Sequence, residues 1–138
     1  MGPPRAMRSG RGSRAQPAGH PVSAAADARP EHWSVETARD LVARLDIPPH
    51  ATRERRFEVY CSFRVAHPGS GAASHALRVL VDGAHQWSRR VATDAGGRDS
   101  LEVRFRRTVP VGQPLRLTAI AEVDGALPLG LSISADED

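Results

Sequence analysis

Residues 57–65, Phe-Glu-Val-Tyr-Cys-Ser-Phe-Arg-Val, decide the fold class of this chain. Apolar side chains alternate with polar or amphipathic ones at every position of this stretch. The apolar set is Phe57, Val59, Cys61, Phe63 and Val65, and Glu58, Tyr60, Ser62 and Arg64 lie between them. A period of two is typical of a β-strand with one face in a core and the other in water.

The same alternation returns along the rest of the chain. It predicts five more strands, at 77–81, 87–92, 101–106, 115–123 and 127–133. Turn signals separate them, with Asp82-Gly83 a strong hairpin signal, Gly96-Gly97 a second turn and Asp124-Gly125 a third. Pro128 lacks a backbone donor, so the sixth strand is predicted to lie at a sheet edge.

About six short strands with frequent turns indicate a mainly β protein, an antiparallel β-sandwich or a small barrel. Each strand has one buried face, which an all-parallel sheet would not show. The pattern resembles immunoglobulin-like and fibronectin-like sandwiches in architecture. The chain has one cysteine, so the Cys–Trp–Cys signature is missing and the resemblance implies no function.

One helix is predicted before the strands, over residues 34–46. Ser34 is a suitable N-cap, and Ala38, Leu41, Val42 and Leu45 form an apolar stripe at helical spacing. Pro48 and Pro49 would end this helix. The predicted organisation is a disordered Arg-rich tail (1–30), a helical lead-in (31–50) and a β-sandwich domain (51–138).

The positive charge of the chain is concentrated in its first part. All nineteen basic residues are arginine. Residues 1–30 carry five arginines against one acid, whereas residues 31–138 carry fourteen against fifteen. The nearly neutral body argues against a nucleic-acid surface, so nucleic acid is an expected partner only through residues 1–30. No apolar run approaches the ~18 residues of a membrane span, so no membrane partner is expected.

Neither a catalytic nor a metal site is predicted, and no cofactor is expected. Ser70 lies between His67 and His75 but outside a nucleophile elbow. The six histidines lack the tight ligand pairs of zinc sites. Asp94, Asp99 and Glu102 match no calcium motif, and a hairpin turn explains them.

An interaction surface is the remaining possibility. It is predicted on the solvent side of the strands, at Tyr60, Arg64, Arg78, Arg104, Arg106 and Arg116. Bidentate arginines suit carboxylate or phosphate partners, and the alternative is a mixed-charge solvated face. The leading hypothesis is a non-catalytic protein-interaction or accessory module of a bacterial-type cytoplasmic protein, binding another protein or itself as a homo-oligomer.

Two other functions stay open at this point. Trp33 and Trp87 would stack a sugar ring if exposed, which makes a carbohydrate-binding β-sandwich module the first alternative. The expected placement is instead packed, with Trp33 as a staple before the helix and Trp87 in the core or half-core. The second alternative is nucleic-acid contact through the basic tail. The lone Cys61 permits no intrachain disulfide and favours a reducing compartment such as the cytoplasm.

Overall fold

The computed structural model describes residues 29–138, and all but the last two residues of the tail predicted at 1–30 lie outside them. Eight β-strands and no helix occupy this described part of the chain. The strands are β1 (His32–Thr37), β2 (Val42–Ile47), β3 (Arg55–Ala66), β4 (Ser74–Val81), β5 (Ala84–Ala92), β6 (Arg98–Val109), β7 (Leu115–Asp124) and β8 (Leu127–Glu137).

The strands form two four-stranded antiparallel sheets. Sheet A has the order β1-β8-β3-β6, and sheet B has the order β2-β7-β4-β5. The first strand pairs with the eighth, the second with the seventh, the third with the sixth and the fourth with the fifth. This nested pairing is the topology of an eight-stranded jelly roll.

One hydrophobic core lies between the sheets, as a β-sandwich requires. The predicted alternation is confirmed on β3, where Phe57, Val59, Cys61, Phe63 and Val65 are all buried. Leu77 and Val79 of β4, Leu117 of β7 and Ile133 of β8 belong to the same cluster. Burial of these side chains is the main favourable contribution to folding, at about 25 cal/mol per Å² of apolar surface.

The helix predicted over residues 34–46 is wrong, because this stretch forms β1, a short connection and β2. Val35 pairs with Ile133 and Leu45 with Leu117, so both segments are held by strands far away along the chain. The helical spacing of Ala38, Leu41, Val42 and Leu45 is therefore coincidental. Pairing with the sheets overrides the local pattern. The predicted lead-in at 31–50 belongs to the two sheets.

The edge position predicted for the last strand is also wrong, since β8 lies between β1 and β3. Pro128 is tolerated there for two local reasons. It lies beyond the last pair between β1 and β8, Thr37 with Leu131, and it follows a register shift between Arg64 and Val65 of β3. Proline occurs within sheets at such irregular positions.

The two Asp-Gly turns have different roles. Asp82 and Gly83 both have positive φ and join β4 to β5 as a two-residue hairpin, as predicted. Asp124-Gly125 instead connects β7 of sheet B to β8 of sheet A. The Gly96-Gly97 turn likewise crosses from β5 to β6, so the hairpin predicted there is wrong.

The strand order also differs from the predicted immunoglobulin-like architecture. In that architecture the first two strands are neighbours in one sheet, whereas here β1 and β2 lie in opposite sheets. Alternation along single strands predicts which residues are buried but does not encode which strands pair. Within residues 29–138, no helix has the length and apolar character needed to cross a membrane.

Candidate interaction surface

The core is better covered at one side of the sandwich than at the other. At one side β2 contributes Ala43, Leu45 and Ile47, all buried. At the other side are β6, the neighbour of β3, and β5, the neighbour of β4. Because β3 contacts β4 across the core, β6 and β5 lie on the same side of the molecule.

The core-facing positions of β5 and β6 follow from the strand register. Residues directly opposite each other in an antiparallel pair point to the same face. Trp87, Arg89 and Val91 are opposite Val79, Leu77 and His75, which are buried. Val103, Phe105 and Arg107 are opposite Cys61, Val59 and Phe57, which are buried too. All six side chains therefore point toward the core side of their sheets.

Despite this orientation, none of the six is fully buried. Trp87, Val91, Val103 and Phe105 are half-buried, and Arg89 and Arg107 are exposed. We call this set, Trp87, Arg89, Val91, Val103, Phe105 and Arg107, the open side of the sandwich. It is an apolar strip with one arginine from each strand. The two strands that carry it, β5 and β6, are both edge strands with a neighbour on one side only.

The two edge strands that form the open side contain more arginines than acids. Strand β5 carries two arginines and no acid, and β6 carries four arginines against Asp99 and Glu102. Arg90 pairs with Glu122, and Arg106 lies 3.2 Å from a carboxylate oxygen of Asp138. No salt bridge to Arg89 or Arg107 is formed within residues 29–138.

The arginine surface predicted from the sequence does not form one face. Tyr60, Arg64, Arg104 and Arg106 lie on sheet A, whereas Arg78 and Arg116 lie on sheet B, because β3 and β6 belong to one sheet and β4 and β7 to the other. The predicted set is therefore divided between opposite sides of the molecule.

Most of these side chains also have partners within the chain. The Arg104 guanidinium lies 4.2 Å from the centre of the Tyr60 ring, and Arg64 lies 3.5 Å from Glu36. Arg116 donates to Asp46 at 2.8 Å. These contacts are those of the mixed-charge solvated face that the sequence left as the alternative.

The predicted tryptophans are not exposed platforms. Trp33 packs against the core, and its indole N–H donates to Glu31 at 2.9 Å. Trp87 is half-buried on the open side. Residues 1–28 of the basic tail proposed for nucleic acid, 1–30, lie outside the described residues.

The acidic turn before β6 uses its carboxylates to hold its own backbone. Asp99 accepts the backbone N–H of Asp94 at 3.0 Å and that of Ser100 at 2.8 Å. The hydrogen bond from the Asp94 N–H is the main reason that the pKa of the Asp99 carboxyl lies below its ordinary value. Among residues 29–138, no group of three or more His, Cys, Asp or Glu side chains is placed to hold a metal ion.

The side chains considered as a nucleophile or a base are buried or bonded to their own neighbourhood in the fold. The His75 ring is buried, with Nδ1 sharing a hydrogen bond of 2.8 Å with the Thr93 hydroxyl. His67 accepts the backbone N–H of Gly69 at 2.9 Å. Cys61 is buried, and desolvation raises the pKa of its thiol to about 12, so the thiolate required for nucleophilic chemistry does not form near neutral pH.

Sequence reasoning missed a buried ionic cluster at the end of the sandwich where β3 begins. Arg55 is 2% exposed and donates to Glu31 at 2.8 Å and to the Pro48 carbonyl at 2.9 Å. Arg53 pairs with Glu137, whose carboxylate also accepts the backbone N–H of Glu31. The cluster ties the start of β1 to β3 and to the end of β8. Arg55 is in phase with Phe57 and Val59, which was the signal available in the sequence.

The fold and this surface define a jelly-roll β domain with an open side. No protein-family model matches the chain, and no curated protein matches it. Among solved structures, dimeric latent PorU from Porphyromonas gingivalis is similar to it, with a TM-score of 0.42 and 13% sequence identity over 75% of this chain. The chain spans 10% of the length of that protein.

Proposed function

We propose that this domain is a non-catalytic protein-interaction module, and that the open side of the sandwich is its binding surface. One observation carries the proposal. Trp87, Val91, Val103 and Phe105 point toward the core side of their sheets and are nevertheless only half-buried. A partner that covers them would remove apolar surface from water, which is the main driving force of protein association.

The two edge strands support a partner that is itself a polypeptide. Edge strands present unpaired backbone N–H and C=O groups, and an extended segment satisfies them by adding a strand. The arginines beside the apolar strip favour carboxylates at the rim of that partner, and Arg89 and Arg107 are placed for them. The proposal includes a cytoplasmic location, which the single unpaired Cys61 supports.

Site-specific photo-crosslinking tests this function in the cells that produce the protein. A photoreactive phenylalanine analogue is placed at Arg89 or Arg107, which are exposed on the open side, and at Arg78 or Arg116, exposed on the outer face of sheet B, as matched controls. We expect covalent adducts with a polypeptide, either a second copy or another protein, from positions 89 and 107 and few from the controls. Equal labelling from all four positions, or none, would contradict the proposal.

A further inference from the structure

Strand β6 is the free edge best suited to recruit a partner. It pairs with β3 over all twelve residues, Arg98–Val109, without a register shift, and it is the last strand of sheet A. By contrast, the pairing of β5 with β4 shifts register between Val79 and Leu80. A long, regular edge with half-exposed Val103 and Phe105 on its core side is a template for another strand.

The charge sequence of β6 is complementary to itself. In an antiparallel pair of identical strands about a twofold axis at Val103, Glu102 of each copy lies opposite Arg104 of the second copy. In the same register Leu101 lies opposite Phe105, and Asp99 opposite Arg107. Every one of these pairs occurs twice, as in any isologous interface. Opposite charges and apolar pairs directly across two strands are stabilising.

Neighbouring registers of the same two strands place like charges opposite each other. With the axis at Arg104, Glu102 faces Arg106, but the two Arg104 side chains oppose each other. With the axis at Glu102, the two Glu102 side chains do so and Arg98 faces Arg106. With the axis at Phe105, Arg104 faces Arg106. Like charges directly opposite are destabilising, so the charges select the register centred on Val103.

Other edges and occupants fit less well. Strand β5 has no acid to match its arginines. Strand β2 carries Arg44 and Asp46, but its core-facing side chains are already buried, so it has no apolar strip for a partner to cover. The chain outside the structure, residues 1–28, carries four arginines and Asp27, so it offers one acid to the arginines of β6, whereas a second β6 offers two.

We propose that two copies of this chain associate through antiparallel pairing of β6 with β6, centred on Val103. The pairing joins two copies of sheet A into one eight-stranded sheet and brings the two open sides together. It rests on the proposed function, because it names the partner of that same surface. Pairing also satisfies the free backbone groups of both edges, as in strand addition.

Charge exchange tests the register on the full-length chain, with mass measured by light scattering or sedimentation over a range of concentrations. The wild type is expected to be a dimer. Glu102→Arg and Arg104→Glu each place like charges opposite each other twice, so each is expected to raise the dimer dissociation constant by about tenfold or more. The double variant Glu102→Arg/Arg104→Glu is expected to dimerise again, as is an equimolar mixture of the two single variants.

The control is Arg78→Glu, which makes the same charge change on the outer face of sheet B and should leave the dimer intact. Circular dichroism of each variant establishes that the fold persists. A monomeric wild type, or single variants that dimerise as well as the control does, would overturn the inference. Crosslinks from positions 89 and 107 to a different protein would then leave the proposed function standing, whereas their absence would remove both.

Discussion

Arg55 is buried, whereas its chain neighbours Glu54 and Arg56 are exposed. Its guanidinium is enclosed by Glu31, two carbonyl groups and the Phe57 ring, with 5.4 Å between the guanidinium carbon and the ring centre. A buried ion pair has a large desolvation penalty, so its net contribution to stability is small while both partners are present. Loss of one partner is costly, because the other is left without its counter-ion.

We therefore expect Arg55→Leu to lower the free energy of unfolding by about 3 kcal/mol. The value lies at the lower end of the usual range because Glu31 is partly exposed and keeps a contact to Arg53. Urea denaturation measures the change, and Arg56→Leu is the matched control, since the Arg56 side chain is 60% exposed. Adding Glu31→Gln to Arg55→Leu should recover part of the loss. Equal costs for Arg55→Leu and Arg56→Leu would show that the cluster contributes nothing to stability.

At the scale of the element, the corner between β7 and β8 depends on a glycine. Gly125 has φ +81°, and a Cβ there would lie 2.7 Å from the Ala72 carbonyl oxygen. Gly112 has a similar φ of +76° but open space around it. The two positions thus separate backbone strain from steric conflict.

Gly112→Ala should cost about 1 kcal/mol of stability, from the positive φ alone. Gly125→Ala should cost clearly more, because a backbone carbonyl must also move to admit the methyl group. Thermal unfolding of both variants measures the difference. If the two melting temperatures fall by the same amount, the close approach to Ala72 has no energetic consequence.

Comparison of the predicted and observed strands shows which parts of the fold local sequence patterns reveal. The alternation from Phe57 to Val65, and those of the five later segments, correspond to real strands because alternate side chains point toward the core side of each sheet. Strands β1 and β2 were missed because Leu41, Val42 and Leu45 satisfy a helical spacing. The pairing that makes these residues strands joins distant segments, as in Val35 with Ile133.

The candidate surface could be predicted only in part, for the same reason. The inward phase of Arg107 follows from Phe105 two residues earlier, so the sequence contained the signal for a charged group on the core side. The open side itself could not be predicted, since it depends on β5 and β6 lying at the same side of two different sheets. The predicted arginine set does not form one surface, because local alternation does not reveal that Arg78 and Arg104 lie in different sheets.

For the whole molecule, the nested strand order implies slow folding. Among the strands of residues 29–138, only β4 and β5 are joined by a hairpin, and every other connection between consecutive strands crosses from one sheet to the other. The pairing of β1 with β8 closes a loop of almost the entire described chain. Domains dominated by such distant contacts fold in milliseconds to seconds, because loop-closure entropy is lost before the contacts form.

This topology predicts which interactions form before the folding barrier. The hairpin at Asp82-Gly83 has a low entropic cost of closure, so we expect it in the transition state, whereas the pairing of β1 with β8 should form afterwards. Gly83→Ala, at φ +84°, should therefore mainly slow refolding, and Val35→Ala in β1 should mainly accelerate unfolding. Stopped-flow chevron plots of both variants give the two rates. If Gly83→Ala changed only the unfolding rate while Val35→Ala slowed refolding, the order of assembly would be the reverse, with β1 and β8 pairing before the hairpin forms.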